Sequence, residues 1–302
     1  MTAIALPRQN TMRAGLYMVL AMAAFVTNDS FVKSLAGALP VGEVVAIRGA
    51  FATLLIAAIC QWQGLLGGLP MMFSGHVFSR ALLDLLGTLL FITALMHMPI
   101  ANLTAILQAV PLVVALFAAL FLGERVGWRR SLAISAGLIG VTLIVKPSPA
   151  TFTIYEAFAL TIVFSLAVRD IVTRRIPVHV PSQIVALANA LFVTAGGAVL
   201  MLFEGYTPVT AWQVAVLAIA ALFLGLGYVF MVLTLRTGEL SATAPFRYSI
   251  VVFALISGVA VFGEMPDGWA VIGIVLIVAS GLYAAHREAK LERLARLRAA
   301  TG

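Results

Sequence analysis

Across 302 residues only 10% of side chains are charged and 62% are hydrophobic, giving a mean hydropathy of +1.09, whereas an ordinary soluble domain is about a quarter charged. This excludes a fold solvated by water, and the net charge of +7 does not signal nucleic acid, because the basic residues lie in short loops between apolar runs rather than along one face. A single cysteine, Cys60, leaves no disulfide or thiolate metal site within the chain.

A helix that crosses a bilayer needs about 20 apolar residues. Apolar runs bounded by charged residues, Gly and Pro predict helices at Ala14–Leu35, Val44–Leu66, Val77–Met96, Ile100–Leu122 and Ser131–Val145. A second set follows at Tyr155–Thr173, Ser182–Phe203, Trp212–Leu235, Ser241–Phe262 and Trp269–Ala285. The expected fold class is an all-α integral membrane protein with ten transmembrane helices and short connectors. Of the 19 Lys and Arg residues, fourteen sort to one side, only Lys33 and Lys146 to the other, and Arg48, Arg169 and Arg247 fall inside spans. Positive loops stay inside, so both termini are predicted to be cytoplasmic. Ala36-Gly37-Ala38 has the form of a signal-peptide cleavage site, but the run before it is too long, carries Asn28, Asp29 and Lys33, and has a counterpart later in the chain.

That counterpart belongs to an internal repeat. At an offset of 141, Asp29 aligns with Asp170, Lys33 with Arg174, Pro40 with Pro181, Phe51 with Phe192 and Thr53 with Thr194. At 140, Gly87 aligns with Gly227 and Gly123-Glu124 with Gly263-Glu264; Trp128 with Trp269 and Gly140 with Gly281 return to 141. Five helices per copy is an odd number, so the second copy enters the membrane from the opposite side. Such inverted repeats supply alternating access around a site near the midplane. The expected units are residues 1–147, residues 148–286 and a basic cytoplasmic tail, 287–302.

The stretches Pro111-Leu112-Val113 through Phe121-Leu122-Gly123-Glu124-Arg125 and Val261-Phe262-Gly263-Glu264, within this 5+5 pattern, resemble the EamA-type transporters of the drug/metabolite transporter superfamily. Val251 stands where the first copy has Pro111, a departure from the pattern. Within the family the chain is most similar to the YddG-type amino-acid exporters. The resemblance implies a central cavity among the first four spans of each half, with the fifth and tenth at the periphery. Those two spans contain no strongly ionisable residue.

Ionisable groups inside a membrane are expensive and default to functional candidates. Asp29 and Lys33 are four residues apart on the first span, one helical face, and form either a structural salt bridge or part of a cavity wall. In the second span Glu43 lies at the mouth and Arg48 deeper; a guanidinium there can hold a substrate carboxylate through two parallel hydrogen bonds or pair with a nearby acid. Asp84 is the deepest lone carboxylate and the proton-carrying candidate, or else pairs with Arg247 or Arg80. Arg169, Asp170 and Arg247, toward the cytoplasmic ends of their helices, are either an inner gate of charge pairs or exposed ends. Asn28, Phe91, Asn102, Gln108, Asn189, Tyr228 and Tyr248 are polar or aromatic candidates for a cavity wall, with helix packing as the alternative. Gly87 and Gly227 allow close helix approach or substrate entry, and Pro111 and Pro245 interrupt helices as hinges or static kinks.

No HExxH, GxSxG, Asp-rich pair, Cys/His cluster or P-loop is present, and His76, His97, His179 and His286 are scattered, which argues against an intramembrane lipid-acting enzyme and against ATP-driven transport. The tail from His286 to Arg298 is either a short interfacial helix or a solvated topology anchor. The expectation is a secondary transporter or facilitator in the bacterial inner membrane, exporting amino acids, with aromatic or other neutral ones favoured; another small metabolite is the alternative. It is expected to work as a monomer in the lipid bilayer, without cofactor, metal or nucleic acid.

Overall fold

The computed structural model describes residues 8–121, 128–146, 152–173, 175–177, 179–237 and 243–301. Its helices are α1 (Arg8–Lys33), α2 (Val41–Trp62), α3 (Gly75–His97), α4 (Ile100–Leu107), α5 (Val110–Phe121), α6 (Trp128–Val145), α7 (Ile154–Thr173), α8 (Ser182–Glu204), α9 (Ala211–Thr237), α10 (Ser249–Phe262) and α11 (Gly268–Thr301). No strand occurs among the described residues. Among the described residues eight helical stretches are long and apolar enough to cross a membrane, with α4 and α5 counted as one. Two predicted spans fall short for identifiable reasons. Ser131–Val145 is too short, and α7 carries Glu156, Arg169 and Asp170 within 20 residues.

Proline chemistry accounts for the largest departure from the predicted elements. The fourth span is not continuous: α4 ends at Leu107 and α5 begins at Val110. Pro111 has no N–H, and its ring crowds the carbonyl four residues back, that of Leu107. The chain crosses the break by tighter bonds, Gln108 N–H to Ala105 O and Leu112 N–H to Ala109 O. In the ninth span Pro245 sits in a 3-10 turn, Ala244–Tyr248, ahead of α10. The connector after α2 is also structured, with a 3-10 segment at Leu65–Phe73 whose Met72 packs beside Cys60, Val77 and Ile184. At the other extreme, α11 runs unbroken to Thr301, so the basic tail continues the last span.

Helix starts follow local rules. Thr210 and Gln213 form a reciprocal capping box at α9, and Thr153 N–H donates to Glu156 at α7. Asp267 accepts from Trp269 N–H and Ala270 N–H, both at 3.0 Å, capping α11. Lys146 pairs with the same carboxylate. Lys146 and the backbone N–H of Ala270 hold the Asp267 carboxyl below the usual carboxylate range.

The two halves interlock rather than sit side by side. The repeat-equivalent helices α2 and α8 run antiparallel: Glu204 at the end of α8 accepts from Gly42 N–H at the start of α2, and Gln183 at the start of α8 meets Gln63 just past the end of α2. Between these ends lies a seam of small residues. A Cβ at Gly42 would fall 2.5 Å from Met201 N, one at Gly49 2.5 Å from Thr194 Oγ1, and one at Gly197 2.7 Å from Ala46 N. Small residues at such spacing let membrane helices approach closely. Thr53 and Thr194, equivalent at the offset of 141, hydrogen-bond each other at 3.0 Å, which marks the pseudo-two-fold axis. Around it α1 packs on α9 and α3 on α7, the same pairing generated twice, while α6 and α11 pair separately. The main core, including Val44, Ile92, Leu103, Ile162, Leu217 and Ala254, draws from both halves.

Candidate functional site

Among the described residues, two clusters of charged and amide side chains lie away from the helix ends of this apolar bundle. The first joins α1 and α2. Asn28, 2% exposed, accepts from Arg48 Nη1 at 3.3 Å and donates through Nδ2 to Asp29 Oδ1 at 2.8 Å. Arg48 is only 8% exposed, and its Nε–H is buried with no partner. No carboxylate lies within ion-pair distance of it among the described residues. Asp29 is half-buried and within electrostatic reach of Arg48. The predicted Asp29–Lys33 pair is not formed. Residues four apart on a helix can meet, but Lys33 finds a better partner elsewhere.

The second cluster joins α3 and α7. Arg169 Nη1 donates to Asp84 Oδ1 at 2.9 Å, while its Nε and Nη2 donate to Asp170 Oδ1 at 3.0 and 2.7 Å. Arg80 Nη1 approaches Asp84 Oδ2 at 2.9 Å, off the line of a hydrogen bond, and Arg80 Nε donates to Thr173. Asp84 is therefore not the lone carboxylate that its sequence position suggested, and Arg247, exposed at the start of the ninth span, is not its partner.

The two clusters are related by the repeat in part: Asn28 and Asp29 have their equivalents in the second cluster, whereas Asp84 and Arg80 on α3 have no charged equivalents on α9. At the offset of 141 Asn28 matches Arg169, Asp29 matches Asp170 and Arg48 matches Asn189. Arginine and asparagine are thus exchanged between the halves. Asn189 is half-buried and its Oδ1 lacks a partner. The exchange is legible in the sequence once the repeat is aligned, because it needs only the offset.

Tyr228 on α9 lies within electrostatic reach of Asp84, Arg169, Arg80 and Arg48, so it faces both clusters. It nevertheless keeps 53% of its surface accessible. Tyr228 thus combines charged neighbours from three helices with an accessible surface. Phe25, one turn before Asn28, meets it edge-on at 5.4 Å between ring centroids. The same Phe25 ring lies 2.5 Å from where a Cβ at Gly227 would stand; at the equivalent Gly87 the nearest atom, from Leu166, is 3.5 Å away. Phe25 and Leu166 are themselves repeat equivalents, so the two halves are packed unequally. A separate apolar groove of about 330 Å³ between α6 and α11, lined by Trp128, Leu132, Leu276 and Tyr283, includes none of the clustered residues.

At the end of the bundle where α1 finishes, charged groups close the gaps between helices. Lys33 pairs with Glu264 at 2.8 Å and donates to the Leu95 and Met98 carbonyls at the end of α3. Glu264 Oε2 accepts from Ile100 N–H, the first residue of α4, at 2.9 Å. A cation thus meets a helix C-terminus and an anion a helix N-terminus, each complementing the local dipole. Glu43 is buried at the same end and accepts from Thr207 N–H at 2.7 Å.

The other sequence candidates are dispersed. Phe91 packs on the main core. Gln108 is buried at the α4–α5 break. Tyr248 is buried with its ring against Gly281 of α11, a packing role. Asn102 is half-buried with an unpartnered Oδ1. Gly123-Glu124-Arg125 and Arg174 lie outside the described residues.

An apolar bundle of two interlocked antiparallel repeats, with polar clusters between its helices and charge pairs at one end, has the construction of a membrane transporter. The EamA-like transporter family model matches the chain twice, over residues 12–146 and 153–284, and the chain belongs to that family. It is 28% identical over 272 residues to the pseudopaline exporter CntI of Pseudomonas aeruginosa, covering 87% of this chain and 92% of the relative. Identity to the S-adenosylmethionine uptake transporter of Rickettsia prowazekii is 24% over 277 residues, 91% of this chain and 92% of the relative. The riboflavin transporter of Vibrio cholerae is 24% identical over 291 residues, 95% and 97% of the two chains. A crystal structure of a protein 19% identical shares the fold with a TM-score of 0.61, covering 94% of this chain and 99% of that one. The chain is accordingly a membrane transporter of small molecules and not an enzyme.

Proposed function

We propose that this protein is a ten-span, 5+5 inverted-repeat secondary transporter or facilitator that exports amino acids, aromatic or other neutral ones first, by alternating access. The two spans that fall short by length or charge, α6 and α7, complete five in each half, which puts both termini in the cytoplasm and the Lys33–Glu264 end at the periplasm. The repeats are residues 1–147 and 148–286. One chain supplies both walls of the chamber, so it works as a monomer in the inner membrane.

The observation that carries the substrate class is Arg48: a buried guanidinium with an unpartnered Nε–H, beside the accessible Tyr228. Arginine forks bind carboxylates bidentately, and the aromatic pair Phe25–Tyr228 offers an apolar wall for a side chain. The relatives carry differently named substrates in opposite directions, so another metabolite is the competing reading. Uptake of radiolabelled amino acids into proteoliposomes, with and without a pH gradient and competed by unlabelled amino acids, tests it. Saturable, competed uptake supports the proposal, and a response to the gradient identifies proton coupling. Absence of uptake for every amino acid removes this substrate class.

A further inference from the structure

We propose that Asn28, Asp29 and Arg48 form a clamp for a zwitterion, in which an amide holds an arginine and an aspartate apart so that a substrate carboxylate docks on Arg48 and its ammonium on Asp29. The inference rests on the transporter reading and names the substrate class of that site.

Opposite charges inside a low-dielectric bundle attract far more strongly than in water, and left alone Arg48 and Asp29 would close on each other. Asn28 stands between them and binds both, its Oδ1 to Arg48 at 3.3 Å and its Nδ2 to Asp29 at 2.8 Å. Each charge keeps unused bonding capacity as a result. Arg48 has its buried Nε–H without a partner, and its one side-chain bond is long for an N–H to oxygen contact. Asp29 spends one oxygen on Asn28 and is half-buried rather than sealed. An unmet donor on a buried guanidinium is costly, and a ligand that meets it recovers that cost on binding.

The α3–α7 cluster provides the control. Arg169 uses Nε, Nη1 and Nη2 on Asp84 and Asp170 directly, with no amide between. Its charges are satisfied, and it offers a ligand nothing that must not first be taken from an aspartate. Across both clusters the three arginines Arg48, Arg80 and Arg169 stand against the three aspartates Asp29, Asp84 and Asp170. A zwitterion adds no net charge to that set. A lone amine or a lone carboxylate leaves one wall charge uncompensated away from water, which a site built for polar contacts penalises heavily.

The test uses purified full-length protein and ligand-induced shifts in melting temperature. The twenty proteinogenic amino acids are titrated first; the strongest binder is then compared with its analogue lacking the α-carboxylate and its analogue lacking the α-amino group. The clamp predicts that either deletion weakens binding at least about a hundredfold. Asn28→Leu lets Arg48 and Asp29 close, so binding falls at least about tenfold with no loss of melting temperature in the absence of ligand. Asp29→Asn keeps the shape but removes the ammonium site, and narrows the preference over the analogue lacking the amino group to under about tenfold. If Asn28→Leu does not fold, Asp29→Asn carries the test. Equal binding of either analogue to the wild type, or an unchanged preference in Asp29→Asn, overturns the clamp while proteoliposome uptake still upholds the transporter reading. Absence of both binding and uptake for all twenty overturns both.

Discussion

The α1–α2 cluster and the α3–α7 cluster share the repeat-related aspartates Asp29 and Asp170 and spend their charges differently. Asn28, Asp29 and Arg48 are loosely joined, with a guanidinium nitrogen left over. Arg169, Asp84, Asp170 and Arg80 form short direct pairs between α3 and α7. The difference shows that an intramembrane charge is not by itself a transport residue. Arg169, whose Nε, Nη1 and Nη2 all find aspartate oxygens, holds helices together; Arg48, with an unmet Nε–H, has something to offer a passing molecule.

The largest expected effect breaks this comparison in both directions at once. Asp84→Ala strips Arg169 and Arg80 of a carboxylate that is 7% exposed; losing one partner of a buried pair costs about 3–5 kcal/mol, read as a large drop in melting temperature. Arg48→Gln, by contrast, should leave melting temperature within about 1 °C while lowering amino-acid uptake at least about a hundredfold. Stability loss from Arg48→Gln with uptake intact would reverse the assignment of roles.

Next in size is the α2–α8 seam, which fixes the two halves against each other. Gly197→Leu drives a side chain into Ala46 N and Val45; overpacking of this kind costs about 1–3 kcal/mol or more. Gly87→Ala at the roomier position, 3.5 Å from Leu166, should cost well under 1 kcal/mol by the same measure. Equal losses would mean that the seam is not the tighter of the two regions.

A smaller effect concerns the Lys33–Glu264 clasp. Lys33→Met leaves Glu264 to Ile100 N–H alone and loosens one end; the exchange Lys33→Glu with Glu264→Lys should recover only part of the stability, because each charge then faces the wrong helix end. Full recovery, read by melting temperature, would show that the pair acts without the helix termini. The smallest effect is at Lys146–Asp267, half exposed. Because the Asp267 carboxyl is held below its ordinary value of 3.8, its contribution is complete above that pH and is lost as pH falls through the lower folded-state value. Asp267→Asn should remove that pH response and cost under about 1 kcal/mol, less at high salt.

Most helix positions follow from hydropathy alone, because no other solvent tolerates these runs, and the odd number of spans expected per repeat implies the antiparallel α2–α8 pairing. The break at Gln108 was signalled by Pro111. Charge partners were harder to read. Asp29 and Lys33 have the right spacing for a pair, yet the helix ends at Leu95, Met98 and Ile100 capture Lys33 and Glu264, and helix termini brought together by folding leave no mark in local sequence. Asp84 looked solitary because Arg169 lies 85 residues away. Arg48 was identifiable from its depth, but its unmet Nε–H was not, since that depends on which groups fail to arrive.

The most direct measurement is an experimental structure of the protein with its strongest-binding amino acid. The account predicts the ligand carboxylate within hydrogen-bond distance of Arg48 Nε, the ammonium on Asp29, Asn28 still between them, and the Arg169–Asp84 pair intact. A ligand bound on Arg169 with Asp84 displaced, and Arg48 still joined only to Asn28, would contradict it.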